Sequence, residues 1–155
     1  MLKFVVPAYK HRRAFWAFCR AFWQAGEKIQ GVYVKPRTYR EFLQKYAANK
    51  FFLMEEGGRK IIGLTAFTFG LDEDTRRLDG DFAYCVAPGE RRRGYGRRQF
   101  AMALSHCRDN RMERLCVTCR KANAPSRKII EASGGVLSEE FSHDGVERQV
   151  YWISL

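Results

Sequence analysis

The chain has no apolar run near the about 20 residues that cross a bilayer; its longest stretches, such as Ala14 to Ala21, are broken by Cys19 and Arg20. No membrane span is expected. No secretory leader is expected either, because Met1 to Tyr9 holds one lysine, a short apolar run and no small-residue cleavage site before Lys10 to Arg13. The expected location is cytoplasmic. Histidine is sparse, with His11, His106 and His143 at no spacing that suits a metal or a triad, and each is expected at the surface. The absence of His-Glu-x-x-His, paired Cys-His clusters and a Gly-x-Ser-x-Gly elbow removes metalloprotease, zinc-finger and serine-hydrolase chemistry, and no metal is expected. The five cysteines, Cys19, Cys85, Cys107, Cys116 and Cys119, are odd in number and scattered through apolar segments. They read as reduced, buried thiols rather than a disulfide framework. Cys116 and Cys119 have redox or zinc spacing, but in a strand-like run residues three apart point to opposite faces.

Acid is the other scarcity: 17 Asp and Glu face 28 Lys and Arg, for a formal net charge of +11. Such an excess draws anions, whether nucleic acid, acidic membrane or a phosphate-rich small molecule, and charge alone does not choose among them. What remains is globular in composition, with 46% hydrophobic and 14% aromatic residues. A chain of 155 residues is expected to form one domain over 1–155.

Periodicity predicts a short strand at Leu2 to Val6 and a helix at Arg13 to Gln24, where Phe15, Phe18, Cys19 and Phe22 fall at helical spacing and Trp16 and Trp23 widen the face. So wide an aromatic face should be mostly buried. A second helix is predicted from Tyr39 to Ala48, then a hairpin of Phe51 to Glu55 and Lys60 to Phe69 around Gly57 and Gly58. The charged segment Asp72 to Arg77 reads as a loop before a strand at Asp81 to Val86, which stops at Ala87-Pro88-Gly89. A helix with Phe100, Ala103, Leu104 and Cys107 inward, a strand at Leu115 to Cys119, a helix capped by Asn123 and ended by Gly134-Gly135, and strands at Val136 to Glu140 and Arg148 to Ile153 complete the order. The architecture expected is α/β, a mixed sheet with helices against it.

Between the Asp81 to Val86 strand and the Phe100 helix lies Glu90-Arg-Arg-Arg-Gly-Tyr-Gly-Arg-Arg98. Within it Arg91, Arg92, Arg93, Gly94, Tyr95 and Gly96 fit R-x-x-G-x-G. Glycine lets backbone approach an anion, and a helix start presents N–H groups with the positive end of its dipole. A pyrophosphate suits such a loop, with arginines adding charge-assisted contacts. A Walker loop is absent, and Gln99 stands where a dinucleotide fingerprint needs its third glycine. The competing reading is a solvated basic helix start or an RNA-binding arginine patch.

A second segment about 30 residues on, Asn123-Ala-Pro-Ser126 followed by Lys128-Ile-Ile-Glu and Gly134-Gly135, makes the pattern specific. Together with Tyr84-Cys-Val86, Pro88 and the R-x-x-G-x-G loop, it resembles the GNAT superfamily of acetyl-CoA-dependent N-acetyltransferases. The resemblance covers Asp79 to Gly135, extends to the last strand with Tyr151-Trp152, and meets the first 50 residues only in element order.

The resemblance implies a mostly antiparallel central sheet of six to seven strands with about four flanking helices. It implies that the amides of Arg91 to Gly96 hold the pyrophosphate of CoA, with Arg97 at the helix start. Tyr84, Cys85 and Val86 would bond the pantetheine arm as an added strand would, and an amide at Cys85 or Val86 would polarise the acetyl carbonyl. Asn123 and Ser126 match polar contacts to the pantetheine and phosphate arm, besides the helix-capping role their position already suggests. Many members carry a tyrosine seven residues after the asparagine as acid for the departing thiolate; here Ile130 stands there. For a base, the candidates on or beside the strand are Asp81, Asp79 and Tyr84. The acceptor site implied by the family comprises the aromatic first helix, Gly31 to Tyr46 and Asp72 to Asp79.

Three functions follow. An enzyme would move acetyl from acetyl-CoA to an unidentified primary amine by direct attack. A binding module would grip RNA through Lys10 to Arg13 and Arg91 to Arg98, although those arginines interrupt an ordered strand-to-helix passage. An acyl-CoA sensor would keep the fold without the activity. Monomer and homodimer stay open.

Overall fold

Leu2–Val5 forms β1 and pairs antiparallel with β2 (Lys50–Glu55), which pairs antiparallel in turn with β3 (Gly63–Phe67). With β4 (Phe82–Val86) they make a four-stranded sheet in the order β1-β2-β3-β4. A second sheet has the order β5-β7-β6, from β5 (Arg114–Arg120), β6 (Val136–His143) and β7 (Val146–Ser154), all antiparallel. The helices are α1 (Arg12–Gln24), α2 (Tyr39–Glu41, continued by a π-helical turn at Phe42–Tyr46), α3 (Glu73–Asp79), α4 (Tyr95–Asp109) and α5 (Ala124–Ala132). This is a computed structural model, and it describes residues 1–32 and 35–155. They fall into two compact units, Met1–Phe67 with Tyr84–Gln99 and Thr68–Ala83 with Phe100–Leu155.

The first unit is built on aromatic burial. Phe15, Phe18, Cys19 and Phe22 of α1 are at most 3% exposed and pack with Tyr39, Phe42, Phe52 and Leu64. Phe15 and Phe42 stack at 4.3 Å between ring centres, a geometry that adds to simple area burial. The sequence predicts Trp16 and Trp23 within this buried face. Instead Trp16 is half-buried and Trp23 is 39% exposed, because a helix stripe fills its side of the core with the four residues at i, i+3, i+4 and i+7. His11, expected at the surface, is buried: its Nδ1 accepts the Ala8 N–H at 3.0 Å and its ring meets Phe52 edge-on. Burial lowers its pKa, with Lys10 adding to the effect.

In the second unit, Phe82 packs on Phe100 at 5.2 Å, and Ala103, Leu104, Cys107, Leu115, Val117, Ile130 and Ile153 are buried. The segment read as a loop at Asp72 to Arg77 is α3. Asp72 caps it by accepting the Thr75 N–H at 2.9 Å, with Glu73 and Asp74 in its first turn and Arg76 and Arg77 in its last, the charge order a helix dipole favours. A tight turn at Asp144-Gly145 joins β6 to β7, so β6 runs to His143, past the predicted end at Glu140.

The expectation of one sheet of six to seven strands is corrected: there are two, of four and three strands. Just before β4, the Asp81 N–H donates to Cys116 O at 2.8 Å, while the Cys116 N–H donates to the Asp81 carboxylate at 2.7 Å, so at this point β5 gives its donor to a side chain and not to a backbone carbonyl.

Candidate active site

After β4 the chain makes a 3₁₀ turn at Pro88–Glu90, runs extended through Arg91, and passes through positive φ at Arg92 (65°) and Gly94 (77°) before α4 begins at Tyr95. The Arg98 N–H donates to Gly94 O at 3.2 Å, closing the first helical turn. The N–H groups of Tyr95, Gly96 and Arg97 therefore precede any intrahelical acceptor and project from the start of a 15-residue helix. A Cβ built on Gly94 would meet nothing within 4 Å, so no neighbouring atom crowds this glycine.

The arginines divide into two sets. Arg91 donates from Nε to Val86 O at 3.2 Å and from its two terminal nitrogens to Glu27 at 2.9 and 2.5 Å. The same guanidinium lies 5.8 Å from the centre of the Phe22 ring. Arg93 pairs with Glu90 at 3.2 Å, and Lys60 pairs with the other oxygen of that carboxylate, which is 6% exposed. Arg92, Arg97 and Arg98 are exposed, and among the described residues no carboxylate pairs with them. Fixed arginines thus brace the turn, while the others carry uncompensated charge.

Tyr95 donates its hydroxyl to Glu55 at 3.1 Å, a bond that raises its pKa. Beside the loop, Glu55, Arg59, Lys60, Glu90, Arg93 and Tyr95 line a cavity of about 380 Å³. Two carboxylates and three cations share it. Nothing in the sequence signals that Glu90 is buried or that Glu27 reaches Arg91 from 64 residues away.

Tyr84, Cys85 and Val86 are half-buried on β4. The Cys85 thiol lies 3.8 Å from Gln30 O, and burial pushes its pKa up to about 12, so at neutral pH it is a thiol and a poor nucleophile. Behind it Gln99 is wholly buried and donates to Thr65 Oγ1 at 2.9 Å. In the second unit Asn123 accepts the Ser126 N–H at 3.3 Å, capping α5. Asp81 is 4% exposed; Arg76 Nε donates to one of its oxygens at 3.0 Å and Cys116 N–H to the other. Ile130 is fully buried. Of the expected acceptor region, Tyr33 and Val34 lie outside the described residues.

Comparison with known proteins shows the family. The family model described as acetyltransferase (GNAT) domain matches residues 2–136, and the chain belongs to that family. No curated protein sequence matches it. Among solved structures, it is similar to a Bordetella pertussis protein described as a GnaT-family acetyltransferase, with 18% identity, TM-score 0.71, and 99% of this chain and 95% of that one covered. It is also similar to yncA of Salmonella typhimurium, described as an acetyltransferase and solved with its cofactor acetyl-CoA (16%, TM-score 0.70, 100% and 93% covered). A third is the microcin C7 self-immunity acetyltransferase MccE, in complex with acetyl-CoA and AMP (12%, TM-score 0.68, 99% and 92%). At such identities the likeness shows the fold alone. Among the described residues no helix is long and apolar enough to cross a membrane, and no cluster of His, Cys, Asp or Glu could hold a metal.

Proposed function

We propose that the chain is an N-acetyltransferase that binds acetyl-CoA at the Arg91 to Arg97 loop and passes the acetyl group to a primary amine. The observation that carries this reading is the start of α4 behind an uncrowded Gly94, where the N–H groups of Tyr95, Gly96 and Arg97 have no intrahelical acceptor and Arg92 and Arg97 are exposed in the same segment. That arrangement fits a diphosphate: donors converge, positive charge is uncompensated, and no Cβ obstructs the approach. Family membership and the acetyl-CoA held by yncA and MccE point the same way.

Bound acetyl-CoA supplies a thioester that the amine attacks directly, forming the C–N bond as the C–S bond breaks. The chain's residues orient and polarise. Backbone at Tyr84 to Val86 bonds the pantetheine arm, and an amide at Cys85 or Val86 donates to the carbonyl oxygen as negative charge develops there. No acyl-cysteine is needed, in keeping with the raised pKa of Cys85. An alkylammonium, with a pKa near 10, must lose its proton before attack. Asp81 has both oxygens engaged, which leaves Tyr84 or water as the better acceptor.

The test is calorimetry with acetyl-CoA. Gly94→Asp and Gly96→Asp place a carboxylate among the donors and should abolish binding in folded protein; unchanged affinity overturns the placement. A thiol-release assay over a panel of amines and peptides then separates an enzyme from a sensor. The second reading has one observation in its favour: Ile130, where many members carry the acid, is fully buried.

A further inference from the structure

The charge of the chain is concentrated in one unit. Met1–Phe67 with Tyr84–Gln99 holds 18 of the 28 Lys and Arg but only 5 of the 17 Asp and Glu. The five acids of this unit are all engaged: Glu27 by Arg91, Glu41 by Lys45, Glu55 by Tyr95, Glu56 by Lys3, and Glu90 by Lys60 and Arg93. Among the described residues no carboxylate pairs with Lys10, Arg12, Arg13, Arg20, Lys28 or Lys35. Arg12, Arg13 and Arg20 lie on α1, Lys10 and Lys28 fall within four residues of its ends, and Lys35 sits over Trp23.

On α1 the outward residues form one stripe. Arg13, Trp16, Arg20 and Trp23 are spaced by three, four and three, so each neighbours the next on the helix surface. Both arginines are exposed, and the two indoles lie 6.2 Å apart, tilted by 45°. Lys35 Nζ sits 4.3 Å from the centre of the Trp23 ring. Phe15, Phe18, Cys19 and Phe22 fill the inward face; Trp16 packs against its edge in part, and Trp23 is 39% exposed.

We infer that this stripe binds single-stranded RNA without sequence preference, through phosphates on Arg13, Arg20 and Lys35 and bases stacked on Trp16 and Trp23. Interleaved cations and aromatic rings are what such a ligand requires, because its charge and its π-faces alternate along the strand. A lipid surface fits less well. Interfacial helices insert an apolar face, and that of α1 is committed to the core. The stripe shares no residue with the Arg91 to Arg97 loop, and the inference does not rest on acetyl-CoA binding there.

The probe is a fluorescein-labelled oligouridylate of about 20 nucleotides, followed by anisotropy across a salt series, with the single-strand slope of about 0.7 per phosphate as the scale. Arg13→Glu/Arg20→Glu should weaken binding by about tenfold or more and lower the salt slope by about 1.4. Trp23→Ala should weaken it about fivefold or more with the slope unchanged. Circular dichroism checks that each variant is folded. Three results would overturn the inference: unchanged affinity in the folded double variant, binding to phosphatidylserine-phosphatidylcholine vesicles without binding to the oligonucleotide, or release of the oligonucleotide by saturating CoA. The last would place RNA on the loop. Calorimetry with CoA alone reports on the loop separately, so either reading can fail without the other.

Discussion

Arg91 and Glu27 form a two-pronged pair, 2.9 and 2.5 Å, while Arg91 Nε holds Val86 O. One guanidinium thus ties the end of β4, the start of the arginine loop and the segment after α1. Both side chains are exposed, so the pair adds little to global stability. Its consequence is local order in the loop. Glu27→Ala should leave the denaturation midpoint within about 0.5 kcal/mol of the parent, yet weaken acetyl-CoA several-fold and raise KM more than it lowers kcat. The hydrogen bond from Arg91 lowers the Glu27 pKa. A carboxylate with a depressed folded pKa contributes above its unfolded value, here about 4.5, and loses that contribution as pH falls through the folded pKa. CoA affinity should therefore show no Glu27-dependent change between about pH 8 and 5.5, and the parent should approach the variant only in stronger acid. Calorimetry over that range checks both.

Gly94 separates conformational from steric effects. Its φ is +77°, and an added Cβ would touch nothing within 4 Å. Gly94→Ala should then cost about 1–2 kcal/mol, the penalty of a left-handed conformation rather than a clash, and weaken acetyl-CoA binding by distorting the donors. Gly89, in equally open space without positive φ, is the control. Gly89→Ala should leave thermal stability and affinity near the parent values. Equal losses at both positions would show that the loop conformation is not what matters.

The parts of this protein readable from sequence are those whose cause is local. R-x-x-G-x-G between a strand and a helix can be recognised because every participating backbone group lies within a few residues, and the inward face of α4 follows from helical spacing. The Arg91 partner was not readable, because Glu27 is one of many surface-type acids and only the chain path brings it close. The bond from Cys116 N–H to the Asp81 carboxylate was hidden in the same way, because it joins residues 35 apart in the chain. Burial of Glu90 and Gln99 was hidden as well, since polar residues at a helix entrance normally face water.

Asp81 allows catalytic and structural roles to be told apart. It is 4% exposed and satisfies both Arg76 and the buried Cys116 N–H. Asp81→Ala strands that N–H and leaves Arg76 without its anion, so it should destabilise by about 3–5 kcal/mol, as breaking a buried pair does. Asp81→Asn keeps an acceptor for Cys116 and should cost less. If the carboxylate were the base, Asp81→Asn would abolish turnover in protein that remains folded. The expected result is the reverse, with residual turnover per folded molecule across about pH 6 to 9, where amine deprotonation sets the profile.

Gln99 and Thr65 form a buried polar pair behind β4, with Nε2 donating to Oγ1 at 2.9 Å while Gln99 Oε1 has no partner among the described residues. Gly63 makes room for them: a Cβ there would come 2.6 Å from Cys85 O and 2.8 Å from Gln99 Oε1. Because those atoms are backbone and a packed amide, Gly63→Ala forces movement at Cys85, where the acetyl carbonyl is proposed to dock. It should lose both stability and acetyl-CoA affinity. The pair itself behaves differently. Thr65→Val alone strands the amide donor in the core and should cost about 1–3 kcal/mol. Adding Gln99→Met removes the stranded donor and the orphaned oxygen together, and replacing both partners with apolar groups is nearly neutral in general. The double variant should thus recover most of the single variant's loss in urea denaturation. A double variant less stable than Thr65→Val would show that the cost lies elsewhere than in the stranded donor.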